Sequence, residues 1–118
     1  MQNAIVIREH GNSAVLKLEE INVGHPGAGE ILIGHTAIGV HFHDIYVRSG
    51  LYKTLSLPGI PGVEAAGIIE EIGKGVSGFR PGDKIGYITS AYGAYASHRL
   101  LDQNLAIKLP NFLSDDII

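Results

Sequence analysis

This sequence predicts a mainly β fold with one or two short helices, and three observations carry that expectation: its length, its glycine and proline spacing, and the form of its apolar runs. At 118 residues and 45% hydrophobic content, the chain has the size of one domain able to bury its own core. Its 16 glycines and 5 prolines punctuate short stretches rich in Ile, Val and Leu, as expected of many short strands joined by tight turns.

In chain order, residues 4–8 and 15–21 are the first two strand candidates. Between them, Gly11-Asn12 suits a hairpin turn. Residues 30–40 follow Pro26-Gly27-Ala28-Gly29 and are apolar at alternate positions, with Gly34 and Gly39 permitting a bulge, so they read as a central, bent strand. His43-Asp44-Ile45-Tyr46-Val47-Arg48 predicts one or two helical turns closed by Gly50. Residues 51–61 have the Pro and Gly content of an irregular loop, and such loops often carry function. Residues 63–72 form a small-residue strand candidate, residues 79–84 a Pro-Gly turn, and residues 84–88, 92–100 and 105–109 the closing strands. Ser114-Asp115-Asp116 reads as an N-cap with acids in a first helical turn, where they complement the dipole. An isolated turn cannot offset the entropy of nucleation, so this helix is expected to lead into further chain.

Composition narrows the function. A formal charge of −3 and a pI near 6.0 argue against nucleic acid as a partner, which would need a basic surface. The chain has no cysteine, which removes disulfides, thiolate zinc sites and a cysteine nucleophile and is compatible with a reducing compartment such as the cytoplasm. The opening run Ala4-Ile5-Val6-Ile7 meets Arg8-Glu9 at once, so it is read as neither a signal peptide nor a membrane span.

Three motifs bear on chemistry. Gly73-Lys74-Gly75-Val76-Ser77-Gly78 matches GxGxxG, but a phosphate-binding version must open a helix. Phe79-Arg80-Pro81-Gly82-Asp83 cannot supply one, so the stretch reads as a turn between strands. His41 and His43 form an HxH pair to which Glu64 would add a hard ligand, yet the pair sits where strand gives way to helix and no thiolate is present, so no metal site is assigned. Tyr46 and Tyr52 flank the Gly50 break. Their phenols either point into a cleft and donate to a carbonyl oxygen or serve amphipathic packing. No GxSxG elbow, P-loop or paired-carboxylate arrangement appears.

The segment from Gly39 to Tyr52, Gly-Val-His-Phe-His-Asp-Ile-Tyr-Val-Arg-Ser-Gly-Leu-Tyr, resembles the GVNFxDxYxRxGLY stretch of the quinone oxidoreductase, or zeta-crystallin, branch of the medium-chain dehydrogenases. Pro26-Gly27-Ala28-Gly29-Glu30, Ile60-Pro61-Gly62-Val63-Glu64-Ala65-Ala66-Gly67, Phe79-Arg80-Pro81-Gly82-Asp83-Lys84, Gly93-Ala94-Tyr95-Ala96 and Leu109-Pro110-Asn111 follow in the family's order. The resemblance implies a GroES-like, partly open β-barrel over residues 1–113. Residues 114–118 would then begin the helix leading to a Rossmann domain that binds NADPH. It further implies hydride transfer from NADPH to a quinone or related enone, in a homo-oligomeric whole protein whose isolated first domain is inactive. An enoyl or alkenal reductase on the same scaffold and a non-catalytic GroES-like interaction module are the alternatives.

For the site, the resemblance marks His41, Tyr46 and Tyr52 as the catalytic positions, with His41 also contacting the cofactor. The family usually has asparagine at the His41 position, beside nicotinamide and substrate. Histidine there adds the capacity to donate, accept or supply a proton. In zinc-dependent alcohol dehydrogenases of the superfamily, ligands occupy the positions of His41 and Val63. Valine cannot bind a metal, so the resemblance points to the zinc-free branch.

Overall fold

A computed structural model describes residues 2–110. The helix start expected at Ser114, and with it the boundary between residues 113 and 114, lies outside the described residues. Among the described residues, seven strands and one α-helix make up the framework: β1 (Gln2–Val6), β2 (Lys17–Ile21), β3 (Glu30–Ile38), α1 (Phe42–Ser49), β4 (Glu64–Ile72), β5 (Lys84–Ile88), β6 (His98–Asp102) and β7 (Ile107–Lys108).

The strands form two antiparallel sheets, β1-β2 and the five-stranded β6-β3-β4-β5-β7. The sheets do not close, as expected of a partly open β fold. Backbone bonds from Ile5 N–H to Tyr95 O at 2.9 Å and from Ser97 N–H to Asn3 O at 2.7 Å join β1 to the approach of β6. The opening β pair is therefore correct, but the expected hairpin turn is not formed. A 3-10 turn at Ser13–Val15, capped by the Asn12 side chain, lies between the strands instead.

β3 is an interior strand, between β6 and β4, and irregular, with register shifts against β4 between Leu32 and Ile33 and between His35 and Ala37. Its Ile31 and Ile33 pack with Ile69 of β4, Ile85 and Tyr87 of β5, and Leu101 of β6. Each fully buried aliphatic side chain contributes about 1.5–3 kcal/mol relative to exposure. Gly67 is required where β4 crosses β3, because a Cβ there would stand 2.4 Å from Gly34 O and 2.6 Å from Ile33 Cγ2. This close approach explains the glycine within β4.

Two strand expectations are corrected. The last long strand begins at His98 rather than Tyr92 and runs to Asp102, because Tyr92 and Gly93 take positive φ angles of 57° and 107° that interrupt an extended chain. Within residues 105–109, Ile107–Lys108 alone is strand, since Asp102 caps a 3-10 turn over Gln103–Leu105. The β7 edge carries Lys108, 3.3 Å from Asp83 and over the Phe79 ring. Among the described residues, no helix is long and apolar enough to cross a membrane.

Candidate functional site

Helix α1 organises the site, and it is fastened at both ends. His41 is its N-cap in extended conformation, with φ −129° and ψ 158°. The Asp44 carboxylate in the first turn accepts the His41 backbone N–H at 3.0 Å and the Tyr95 hydroxyl at 2.6 Å through the same oxygen. Its negative charge also suits the positive end of the helix. Burial, reinforced by the adjacent Asp44 carboxylate, pushes the Tyr95 phenol well above its ordinary range, which keeps it a donor. At the other end Gly50 adopts the left-handed conformation. Arg48 Nε donates to Gly11 O at 3.2 Å while Gly11 N–H donates to Arg48 O at 3.0 Å. Asp44 and Val47 are the buried residues of α1 and mark the face turned into the domain.

His41 leaves the helix start with its Nε2 atom 3.2 Å from Glu64 Oε1, at the first residue of β4. Gly39 makes this pair possible. A Cβ there would meet Glu64 Oε1 at 2.4 Å and His41 Nε2 at 3.0 Å. Both side chains are about two-fifths exposed, at 43% and 38%, so the pair orients the imidazole more than it stabilises the fold.

His43, Tyr46, Tyr52 and Tyr92 form an aromatic cluster beside this pair. His43 and Tyr46 share a helix face at i, i+3 spacing. The Tyr52 ring lies 5.4 Å from His43 and meets Tyr46 edge-on, also at 5.4 Å. The Tyr52 backbone N–H donates to Tyr46 O at 3.1 Å, which fixes the turn after Gly50. Tyr46 is 38% exposed and Tyr52 43%, and neither hydroxyl has a hydrogen-bond partner among the described residues. Such groups can donate to an oxygen of a ligand. Tyr92 stacks on His43 at 6.0 Å, and its hydroxyl reaches His43 Nε2 at 3.2 Å and Thr54 Oγ1.

Of the three sequence-predicted site residues, Tyr46 and Tyr52 are thus brought together. His41 belongs to a neighbouring pair with no hydrogen bond or ring contact to either tyrosine among the described residues. His41 and His43 turn to different partners, Glu64 and Tyr92, and no group of three or more metal-ligating side chains converges among the described residues. The GxGxxG stretch forms the turn between β4 and β5, with no helix behind it to cradle a phosphate. Sequence reasoning considered Glu64 solely as a metal ligand and missed Tyr92 and Thr54, which lie 49 and 11 residues from His43 and show no periodic signal.

Two apolar hollows lie nearby. One of about 540 Å³ includes Gly39, Glu64, Ile88 and Ile107 and so abuts the His41–Glu64 pair. The other, about 500 Å³, includes His35, Ile38, Val40 and Tyr95. Neither is lined by Tyr46 or Tyr52, whose rings are partly exposed.

Comparison with known proteins decides the family. Residues 27–111 match the alcohol dehydrogenase GroES-like domain. The chain belongs to that family. This GroES-like domain is 42% identical over 115 residues to quinone oxidoreductase 1 of Escherichia coli (strain K12), covering 97% of the chain and 35% of that protein. It is 38% identical over 121 residues to 2-haloacrylate reductase of a Burkholderia species, covering 99% of the chain and 36% of the relative. Its fold superposes on the crystal structure of Escherichia coli quinone oxidoreductase complexed with NADPH with a TM-score of 0.91 at 39% identity, over 97% of the chain and 35% of that structure. The GroES-like domain thus spans about a third of the length of these relatives.

Proposed function

We propose that this domain is the substrate-side, N-terminal part of a zinc-independent NADPH:quinone oxidoreductase. The observation that carries the reading is the pair of exposed phenols, Tyr46 and Tyr52, whose ring centres lie 5.4 Å apart and whose hydroxyls have no hydrogen-bond partner among the described residues, in a chain similar to quinone oxidoreductases along nearly its whole length. Reduced nicotinamide, when bound, would supply the hydride, and a proton from solvent would complete the hydroquinone. The domain's own residues bind and orient the acceptor. Tyr52 donates to its oxygen, Tyr46 shapes the wall, and His41, oriented by Glu64, contacts the nicotinamide side. The dinucleotide's phosphates find no glycine-helix cradle among the described residues, so their binding is assigned to chain outside this domain. Apolar Val63, the absence of cysteine and the engagement of His41 with Glu64 support chemistry without zinc. We further propose a cytoplasmic location and a homo-oligomeric state for the whole protein.

The test is NADPH oxidation in the presence of a quinone, measured for the intact gene product and for the 118-residue chain. Activity of the intact product with silence of the isolated chain is expected. Turnover by the isolated chain would overturn the assignment of cofactor binding to a second domain. A second reading, reduction of an activated alkene, is favoured by the similarity to 2-haloacrylate reductase. An intact product that reduces 2-haloacrylates or alkenals and no quinone would establish it in place of the first.

A further inference from the structure

The Tyr92 hydroxyl joins three parts of the chain that are distant in sequence. It is hydrogen-bonded to Thr54 Oγ1 in the loop of residues 51–61 and lies 3.2 Å from His43 Nε2 on α1. The Tyr92 carbonyl accepts from Arg99 Nη1 at 2.7 Å, which ties the same residue to β6. The tyrosine itself is 7% exposed, and its backbone is left-handed at φ 57°. Local preference does not put a tyrosine there, so the surrounding contacts must hold it.

We propose that Tyr92 is a positioning residue: acting through His43 and Thr54, it fixes the aromatic wall that Tyr46 and Tyr52 present to a flat, conjugated ring acceptor. The proposal rests on the quinone oxidoreductase reading and names residues beyond the three that reading uses. The Tyr92 hydroxyl is the single hydrogen-bond partner of the His43 ring and of Thr54 Oγ1 among the described residues. Without it, His43 can rotate beneath Tyr52, and the loop loses its side-chain tie to the β5–β6 connection. Stacking on a ring acceptor requires a defined ring plane. An acyclic enone, held through its carbonyl, gains little from that plane.

The experiment compares Tyr92→Phe and Thr54→Val with the unaltered intact gene product, using a naphthoquinone and an acyclic enone as probes and nitrogen NMR to read the His43 tautomer. Phenylalanine keeps the ring and valine the shape of threonine, so one variant serves if the other fails to fold. The naphthoquinone KM is expected to rise about threefold to tenfold, with kcat and the enone KM changing less than about twofold. His43 is expected to hold one tautomer in the unaltered protein and to become a mixture in Tyr92→Phe. An unchanged naphthoquinone KM, an equal rise for both probes, or a tautomer mixture already present before substitution would overturn the proposal. If the unaltered protein reduces the enone and no quinone, the quinone reading fails by itself. The His43 tautomer then decides the positioning claim, which a single tautomer persisting in Tyr92→Phe would sink.

Discussion

Two histidines of this domain are each tied to a tyrosine hydroxyl, and the two pairs do opposite things. In the sheet, His35 Nδ1–H donates to Ala96 O at 2.7 Å, because a carbonyl can only accept, and Nε2 therefore accepts the Tyr87 hydroxyl at 2.8 Å. Both nitrogens are used, and burial holds the His35 pKa below its ordinary value, so the ring is a fixed neutral strut between β3, β5 and the approach to β6. On α1, His43 has one nitrogen engaged, by Tyr92, and its neighbours Tyr46 and Tyr52 have hydroxyls without a partner, among the described residues. A fully satisfied polar pair specifies structure, whereas a half-satisfied one beside unpaired donors leaves capacity for a ligand.

The most forceful way to sharpen this contrast is to damage the sheet. Ile33→Ala, at a position with no exposure, should cost about 2–5 kcal/mol of stability in urea unfolding. A loss below ~1 kcal/mol would mean that the core is far less closely packed than its contacts indicate. The pH dependence probes His35 directly. Its folded-state pKa lies below the unfolded value of about 6.5, so the unfolded chain takes up the proton first. Stability is full above that value and is lost as pH falls toward the folded-state pKa, with a slope of at most about 1.4 kcal/mol per pH unit from this group. His35→Gln should flatten the unfolding free energy measured between about pH 7.5 and 5.5 relative to the unaltered chain, and an identical slope would remove His35 as the cause.

The site should respond in function rather than in stability. Tyr52→Phe in the intact gene product should lower quinone turnover about fivefold, the worth of one hydrogen bond, and leave unfolding within ~0.5 kcal/mol. Unchanged turnover and KM would return Tyr52 to a packing role. The smallest stability effect is expected for Glu64→Ala, below ~1 kcal/mol because the pair with His41 is exposed. A larger loss would place that pair with the structural group.

The same contrast explains what could be read in advance. β3, β4 and β5 were legible because apolar spacing and small residues record burial one residue at a time. Helix α1 was legible because Gly50 ends it. The extent of β6 was not, since nothing in Tyr92-Gly93-Ala94 announces that a tyrosine will take a left-handed angle under contacts from Arg99, His43 and Thr54. The segment around Gly50 singled out Tyr46 and Tyr52, whose rings the fold brings into contact. The His41–Glu64 and His43–Tyr92 pairs depend on a β4 approach and a β5–β6 connection that only the folded chain creates.

One feature of the sheet edge governs how this domain behaves as a material. β7 is two residues long, and its lysine is engaged with Asp83 and Phe79, so at this end of the five-stranded sheet there is little template for growth by strand addition, whereas β2 and β6 are five-residue edge strands paired on one side. Colloidal behaviour then falls to the apolar side chains the fold leaves outside, with Phe42 at 78%, Val40 at 75%, Leu18 at 73% and Ile88 at 69% exposure. At a net charge of −3, repulsion between copies is modest, and self-association at high concentration should strengthen with added salt.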